Sequence, residues 1–71
     1  MRTHKRTLLG REIDFPETGP WTHKKSGAQY CVLFPCMVEN GLVQAVAYSK
    51  LGRDGLIWIR PITEFLDGRF V

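Results

Sequence analysis

The chain has 71 residues, 44% of them apolar and 24% charged, with a formal net charge of +3. That length holds one small domain and excludes a two-domain enzyme, a dinucleotide-binding fold with its substrate domain, and a TIM barrel. A domain this small buries only roughly 60% of its unfolded surface, so association with further copies is one expected remedy for marginal stability.

The charge is unevenly placed. Residues 1–11 hold Arg2, Lys5, Arg6 and Arg11 without an acid, whereas Lys50, Arg53, Arg60 and Arg69 balance Glu39, Asp54, Glu64 and Asp67 in residues 26–71. Two cysteines, Cys31 and Cys36, make no disulfide framework and no CxxC motif. No run of about 18 apolar residues is present, and the basic N-terminus lacks a following apolar stretch. The expected setting is therefore cytoplasmic, with reduced thiols.

In chain order, residues 1–19 read as a basic, irregular arm, because Gly10, Pro16, Gly19 and Pro20 break any continuous helix. Such an arm either attracts phosphates or is a solvated terminus. Residues 20–71 read as a single small β domain. Trp21–His23 is expected as a short strand, with a turn at Lys24-Lys25-Ser26-Gly27. Gln29-Tyr30-Cys31-Val32-Leu33-Phe34 is rich in strand formers, and Cys36-Met37-Val38-Glu39 continues it past an edge proline or bulge at Pro35. Asn40-Gly41 predicts a type I′ hairpin turn, and Leu42–Tyr48 the following strand. Arg53-Asp54-Gly55 predicts another turn, after which Leu56–Arg60 forms a strand ending at Pro61. One short helical turn is expected near residues 62–67, capped by Thr63 and ended by Gly68 in a left-handed conformation. Arg69-Phe70-Val71 can close the sheet. The fold class is all-β: a small SH3-like barrel or strongly bent sheet of about five short strands.

The run Val46-Ala47-Tyr48-Ser49-Lys50-Leu51, then Ile57-Trp58-Ile59-Arg60-Pro61-Ile62-Thr63-Glu64-Phe65, then Gly68-Arg69-Phe70 resembles the small bacterial and phage domain family DUF1653. Trp21-Thr22-His23-Lys24-Lys25-Ser26-Gly27 and Tyr30 resemble that family's opening motif. The resemblance covers residues 20–71 and implies a compact β fold. The family's name records no function, so the resemblance leaves activity open. The opening departs from the family pattern in lacking an aromatic between His23 and Lys24.

Trp58 and Arg60 lie two apart on one predicted strand and so share a face with Leu56, while Ile57 and Ile59 point the other way as an apparent core face. An aromatic beside a guanidinium can stack a base and pair a phosphate. Trp21, His23, Tyr30 and Tyr48, with Lys24, Lys25 and Arg69, would add interleaved aromatics and positive charge. The ligand-binding set expected on this basis is Trp58, Arg60, Trp21, His23, Lys24, Tyr48 and Arg69. The competing reading makes the aromatics anchors of a small core and the lysines solvation of a turn. Arg53 can reach a phosphate from its turn or simply be exposed.

No cofactor and no metal site is expected, because a Cys₂His₂ site would need both His4 and His23 at unsupported spacing. No P-loop, glycine-rich dinucleotide motif or nucleophile–base arrangement appears, so enzymatic activity has no support in the sequence. The expected function is non-enzymatic recognition of an anionic ligand, meaning a nucleotide, a signalling nucleotide or nucleic acid, by a homo-oligomer without membrane attachment. The alternative is a protein–protein interaction module or a phage inhibitor of a host enzyme, with exposed Trp, Tyr and Arg as its anchors.

Overall fold

A computed structural model describes residues 2–8, 10–51 and 55–71. Among them, strand-forming runs build two antiparallel sheets. Strands β1 (Thr3–Leu8) and β2 (Arg11–Pro16) form a hairpin, and β3 (Gly19–Thr22), β4 (Gln29–Val38), β5 (Val43–Lys50) and β6 (Trp58–Pro61) form a four-stranded sheet in sequential order. A short helix, α1 (Ile62–Phe65), follows β6. The all-β class holds. Among the described residues no pairing joins β6 to β3, so the sheet is open and the expected barrel does not close.

The C-terminus occupies the place where closure would occur. Thr22 and Val71 exchange backbone hydrogen bonds at 2.7 and 2.8 Å, and the Lys24 N–H donates to the Arg69 carbonyl at 2.8 Å. Residues 69–71 thus pair along Thr22–Lys24, at the end of β3 and just past it, as the closing segment was expected to do, and protect that stretch of edge from foreign pairing.

Residues 1–19 depart from the expected irregular arm. Leu8 pairs with Arg11, and the hairpin runs in register out to Thr3 and Pro16. Its strands are held by charge as well as by ladder bonds. Lys5 Nζ lies 3.2 Å from Asp14 Oδ1 and 3.7 Å from Glu12 Oε1. Arg2 ties the hairpin to the domain: its guanidinium sits 4.1 Å over the Trp21 ring and donates to the Pro20 carbonyl. The Trp21 indole Nε1 donates in turn to the Glu17 carbonyl at 2.9 Å.

The hairpin expected at Asn40-Gly41 forms, with a different turn. Val38 pairs with Val43, which leaves four residues in the loop. Positive φ falls on Gly41 (81°) and Leu42 (51°), and Asn40 is not among the positive-φ residues, so the turn is not type I′. Glycine takes that conformation freely, while Leu42 holds one that few non-glycine residues adopt. Of the turn expected at residues 53–55, Arg53 and Asp54 lie outside the described residues.

The helical turn starts at Pro61, whose fixed φ of −54° suits the position before a helix. Thr63 is not the cap: it lies inside α1 and is exposed, and no side-chain bond caps the turn. Ile62 and Phe65, three apart, are both buried. Gly68 takes φ +104°, the left-handed end that its place after the turn predicts.

The core lies between the inner sheet face and the chain after β6. Trp21, Val32, Val46, Tyr48, Phe65 and Phe70 form it, with Tyr30, Trp58 and Leu66 packed at its margin. Phe65 stacks on Phe70 with ring centroids 4.2 Å apart and planes 7° from parallel. Tyr48 meets Phe65 and Phe70 edge-on at 5.4 and 5.7 Å. Here the expected core face of β6 is reversed. Ile57 is 52% exposed and Ile59 50%, while Trp58, paired with Tyr48, faces the aromatic cluster. Aromatic neighbours on β4 and β5 decide the face, which hydropathy along β6 alone does not reveal. Leu56 and Ile57 also precede the strand, which begins at Trp58.

Candidate functional site

A cavity of about 520 Å³ opens beside β6, lined by Tyr30, Tyr48, Trp58, Ile59, Arg60, Pro61 and Glu64. Three strands and the helical turn build it. Tyr48 and Trp58 are cross-strand partners, with Tyr30 of β4 close to both: its ring centroid is 5.6 Å from Tyr48 and 5.7 Å from Trp58. Arg60 stands two residues beyond Trp58 on the same face. Pro61 ends the strand and turns the chain, which brings Glu64 to the rim.

Arg60 is held in one orientation. Its Nε donates to the Tyr48 hydroxyl at 3.0 Å, and its guanidinium lies 5.6 Å from the Phe70 ring and 6.0 Å from the Tyr48 ring. No carboxylate lies within ion-pair distance of it among the described residues, although the other ion pairs there engage Arg2, Lys5 and Arg69. Among the described residues, the one side-chain hydrogen bond of Arg60 is the one from its Nε. A guanidinium of this kind presents a planar fork suited to phosphate or carboxylate.

The residues expected to bind ligand fall into three places. Trp58, Arg60 and Tyr48 share this cavity. His23, Lys24 and Arg69 meet elsewhere, with Lys25 and Gly68, around a separate depression of about 490 Å³. There Arg69 is already paired to Asp67, at 3.0 Å from Nε to Oδ2. His23 is a corner post: the Ser26 N–H donates to its Nδ1 at 3.3 Å, and its ring meets Phe70 edge-on at 5.2 Å. Trp21 belongs to neither, because it is buried in the core under Arg2. Tyr30, Ile59, Pro61 and Glu64 complete the cavity beyond the expected set. Tyr30 is legible in the sequence as a nearby aromatic, whereas Glu64 reads there as a solvated turn residue. Its approach depends on the reversal at Pro61.

Cys31 and Cys36 are free thiols, half-buried. Burial pushes the Cys36 thiol above its ordinary 9.0, which suppresses the thiolate at neutral pH. Among the described residues no three His, Cys, Asp or Glu side chains gather as metal ligands. Also among them, no helix is long and apolar enough to cross a membrane.

No protein-family model matches the chain, and neither the curated proteins nor the solved structures yield a match. The resemblance of residues 20–71 to DUF1653 is thereby neither supported nor contradicted.

Proposed function

We propose that the protein is a non-enzymatic binding domain that holds a nucleotide-like anion in the Tyr48–Trp58–Arg60 cavity. The observation that carries this reading is Arg60, oriented by Tyr48 and without a carboxylate partner among the described residues. Trp58 and Tyr30 supply aromatic surface for a planar ring, and the Arg60 fork supplies two donors for a phosphate. The volume of about 520 Å³ falls in the range of small-molecule sites. Glu64 adds direction, since its carboxylate accepts N–H donors and repels a second phosphate. A ligand with an N–H-bearing ring edge and a compact negative charge fits better than a long polyanion. The reading assigns no reaction to the cavity.

Thermal-shift and calorimetric titration with mono-, di- and cyclic nucleotides and short oligonucleotides tests it. A ligand at about 100 times its Kd stabilises by roughly 2.7 kcal/mol, a shift of at least about 10 °C for a domain of this size. Arg60→Gln keeps a donor for Tyr48 while removing the charge, and is expected to lower affinity at least about tenfold. Absence of a shift with every nucleotide, or equal affinity in Arg60→Gln, overturns the reading. The alternative, a protein-interaction module, draws its support from Leu56 and Ile57, which are 47% and 52% exposed just before β6. A salt-insensitive complex that tolerates Arg60→Gln would favour it.

A further inference from the structure

We propose that the basic depression at His23, Lys24, Lys25 and Arg69 is a second phosphate subsite of the Arg60 cavity, so that the ligand is a short linear single-stranded nucleic acid, a dinucleotide at the least, rather than a mononucleotide. The inference rests on the reading of that cavity as a nucleotide site and names its ligand. The two depressions have adjoining walls. Tyr30 lines the first and His23 the second, and their ring centroids are 6.4 Å apart. Register orders the path between them. Arg60 pairs with Val46, Trp58 with Tyr48 and Tyr30 with Lys50, so Arg60, Trp58 and Tyr30 follow one another along the inner sheet face. His23 lies two residues past Trp21, the β3 partner of Tyr30, and continues the line. Trp58, Tyr30 and His23 all keep part of their surface in solvent. Aromatic rings therefore run from a cation at one end to a group of cations at the other. That alternation suits a single strand, whose bases stack while its phosphates pair.

Charge and order at the far end both favour an anion. Asp67 offsets Arg69, but no carboxylate lies within ion-pair distance of Lys24 or Lys25 among the described residues. The turn that carries the lysines is tied down. The Gly27 N–H donates to the His23 carbonyl, the His23 N–H to the Ala28 carbonyl, and the Lys24 N–H to the Arg69 carbonyl, each at 2.8 Å. An ordered turn costs a ligand less to engage than a loose one. His23 is oriented too. The Ser26 N–H donates to its Nδ1, and the Ser26 hydroxyl, which accepts from the Ala28 N–H, lies 2.9 Å from the same nitrogen. Nδ1 is thus the acceptor, and the neutral ring carries its proton on Nε2, a donor suited to a phosphate oxygen.

Glu64 sets the direction. It stands with Arg60 at the helix end of the cavity, where its carboxylate repels a further phosphate. A chain longer than one nucleotide therefore extends the other way, over Tyr30 toward the lysines. Lys50 adds a positive charge beside Tyr30 on that route and has no ion-pair partner among the described residues. The path is short, with one ring contact from Trp58 to Tyr30 and one from Tyr30 to His23, which fits a few nucleotides and not a long polyanion.

Calorimetric titration of the full chain tests the proposal, with the nucleoside monophosphates and the linear phosphorylated dinucleotides built on them as probes. Wild type is compared with the double variant Lys24→Gln/Lys25→Gln. Neither lysine lines the Arg60 cavity, and both substitutions leave the backbone bonds of the turn in place. Wild type is expected to bind the dinucleotide at least about tenfold more tightly than the monophosphate. Its logarithmic salt dependence is expected to be steeper for the dinucleotide by roughly 0.7, one further phosphate neutralised. The double variant is expected to lose both the gain and the added slope, and to keep the wild-type affinity for the monophosphate. Should the double variant lose structure, Lys25→Gln alone, at an exposed position, decides. A dinucleotide bound no more tightly than the monophosphate, or a gain that survives the loss of the lysines, overturns this proposal and leaves the cavity a mononucleotide site. Binding of none of these probes overturns both readings together.

Discussion

Arg60 and Tyr48 are joined across adjacent strands by a 3.0 Å hydrogen bond from Nε to the phenol oxygen. Tyr48 is 4% exposed and packs its ring against Phe65 and Phe70. A core residue thereby fixes the direction of a cation at the cavity wall. The bond satisfies the one polar atom that Tyr48 takes into the core and removes rotamer freedom from Arg60 before any ligand arrives. A ligand that meets an ordered side chain loses less affinity to ordering it.

Tyr48→Phe separates these two effects. The ring is retained, so packing survives, and the lost bond is expected to lower stability by about 1 kcal/mol. For a domain of this size that is a fall of about 4–8 °C in Tm. The freed Arg60 is expected to bind the nucleotide class several-fold more weakly while keeping its salt dependence, since the charge remains. Calorimetric titration at two ionic strengths checks this. Unchanged affinity would show that Tyr48 serves the core alone.

The two faces of β6 give a second prediction, measured at low protein concentration so that association does not enter. Trp58 packs on Tyr30 and Tyr48, so Trp58→Ala is expected to cost about 2 kcal/mol, below the range for a fully buried tryptophan. Ile59 is half exposed and Ile59→Thr keeps a β-branched side chain, so a change within about 0.5 kcal/mol is expected. Chemical denaturation of both variants decides the order. The reverse order would restore the isoleucine side as the core face.

That reversal marks how far the fold and the site can be read from residues alone. The strand at Gln29, the hairpin across Asn40-Gly41, the turn after Pro61 and the closing segment at Arg69–Val71 all follow from local chemistry: β-branched and aromatic runs, glycine at positive φ, proline at a strand end. Face assignment does not, because Trp58-Ile59-Arg60-Pro61 alternates equally well either way until Tyr48 and Tyr30 are set beside it. The bulge at Leu33 has no signature of its own, yet it turns Phe34 outward. Of the site, the pairing of Trp58 with Arg60 is legible from a spacing of two. Glu64 is not, since the reversal at Pro61 carries it there. The β1–β2 hairpin does have a signal: bases at 2 and 5 are answered by acids at 17, 14 and 12. Punctuation by Gly10 and Pro16 outweighs that pattern when residues 1–19 are judged by composition.

The same pattern gives the hairpin a dependence on pH. The Asp14 carboxylate, through its hydrogen bond and then its charge, and Glu12 more weakly by charge, raise the Lys5 ammonium above its ordinary 10.5. A cation whose pKa is higher in the folded state stabilises that state fully below its unfolded value, and the contribution is lost as pH rises through the folded value. Comparison with Lys5→Met isolates it, because the variant keeps most of the aliphatic stem. The Tm difference is expected to hold constant from neutral pH up to the neighbourhood of 10.5 and to shrink above it. Added salt at neutral pH should shrink it too, since Lys5 and both carboxylates are more than half exposed. The charge is the cause if the two dependences agree. A difference that persists unchanged at high pH and high salt would assign the effect to the aliphatic stem of Lys5 lying along β2.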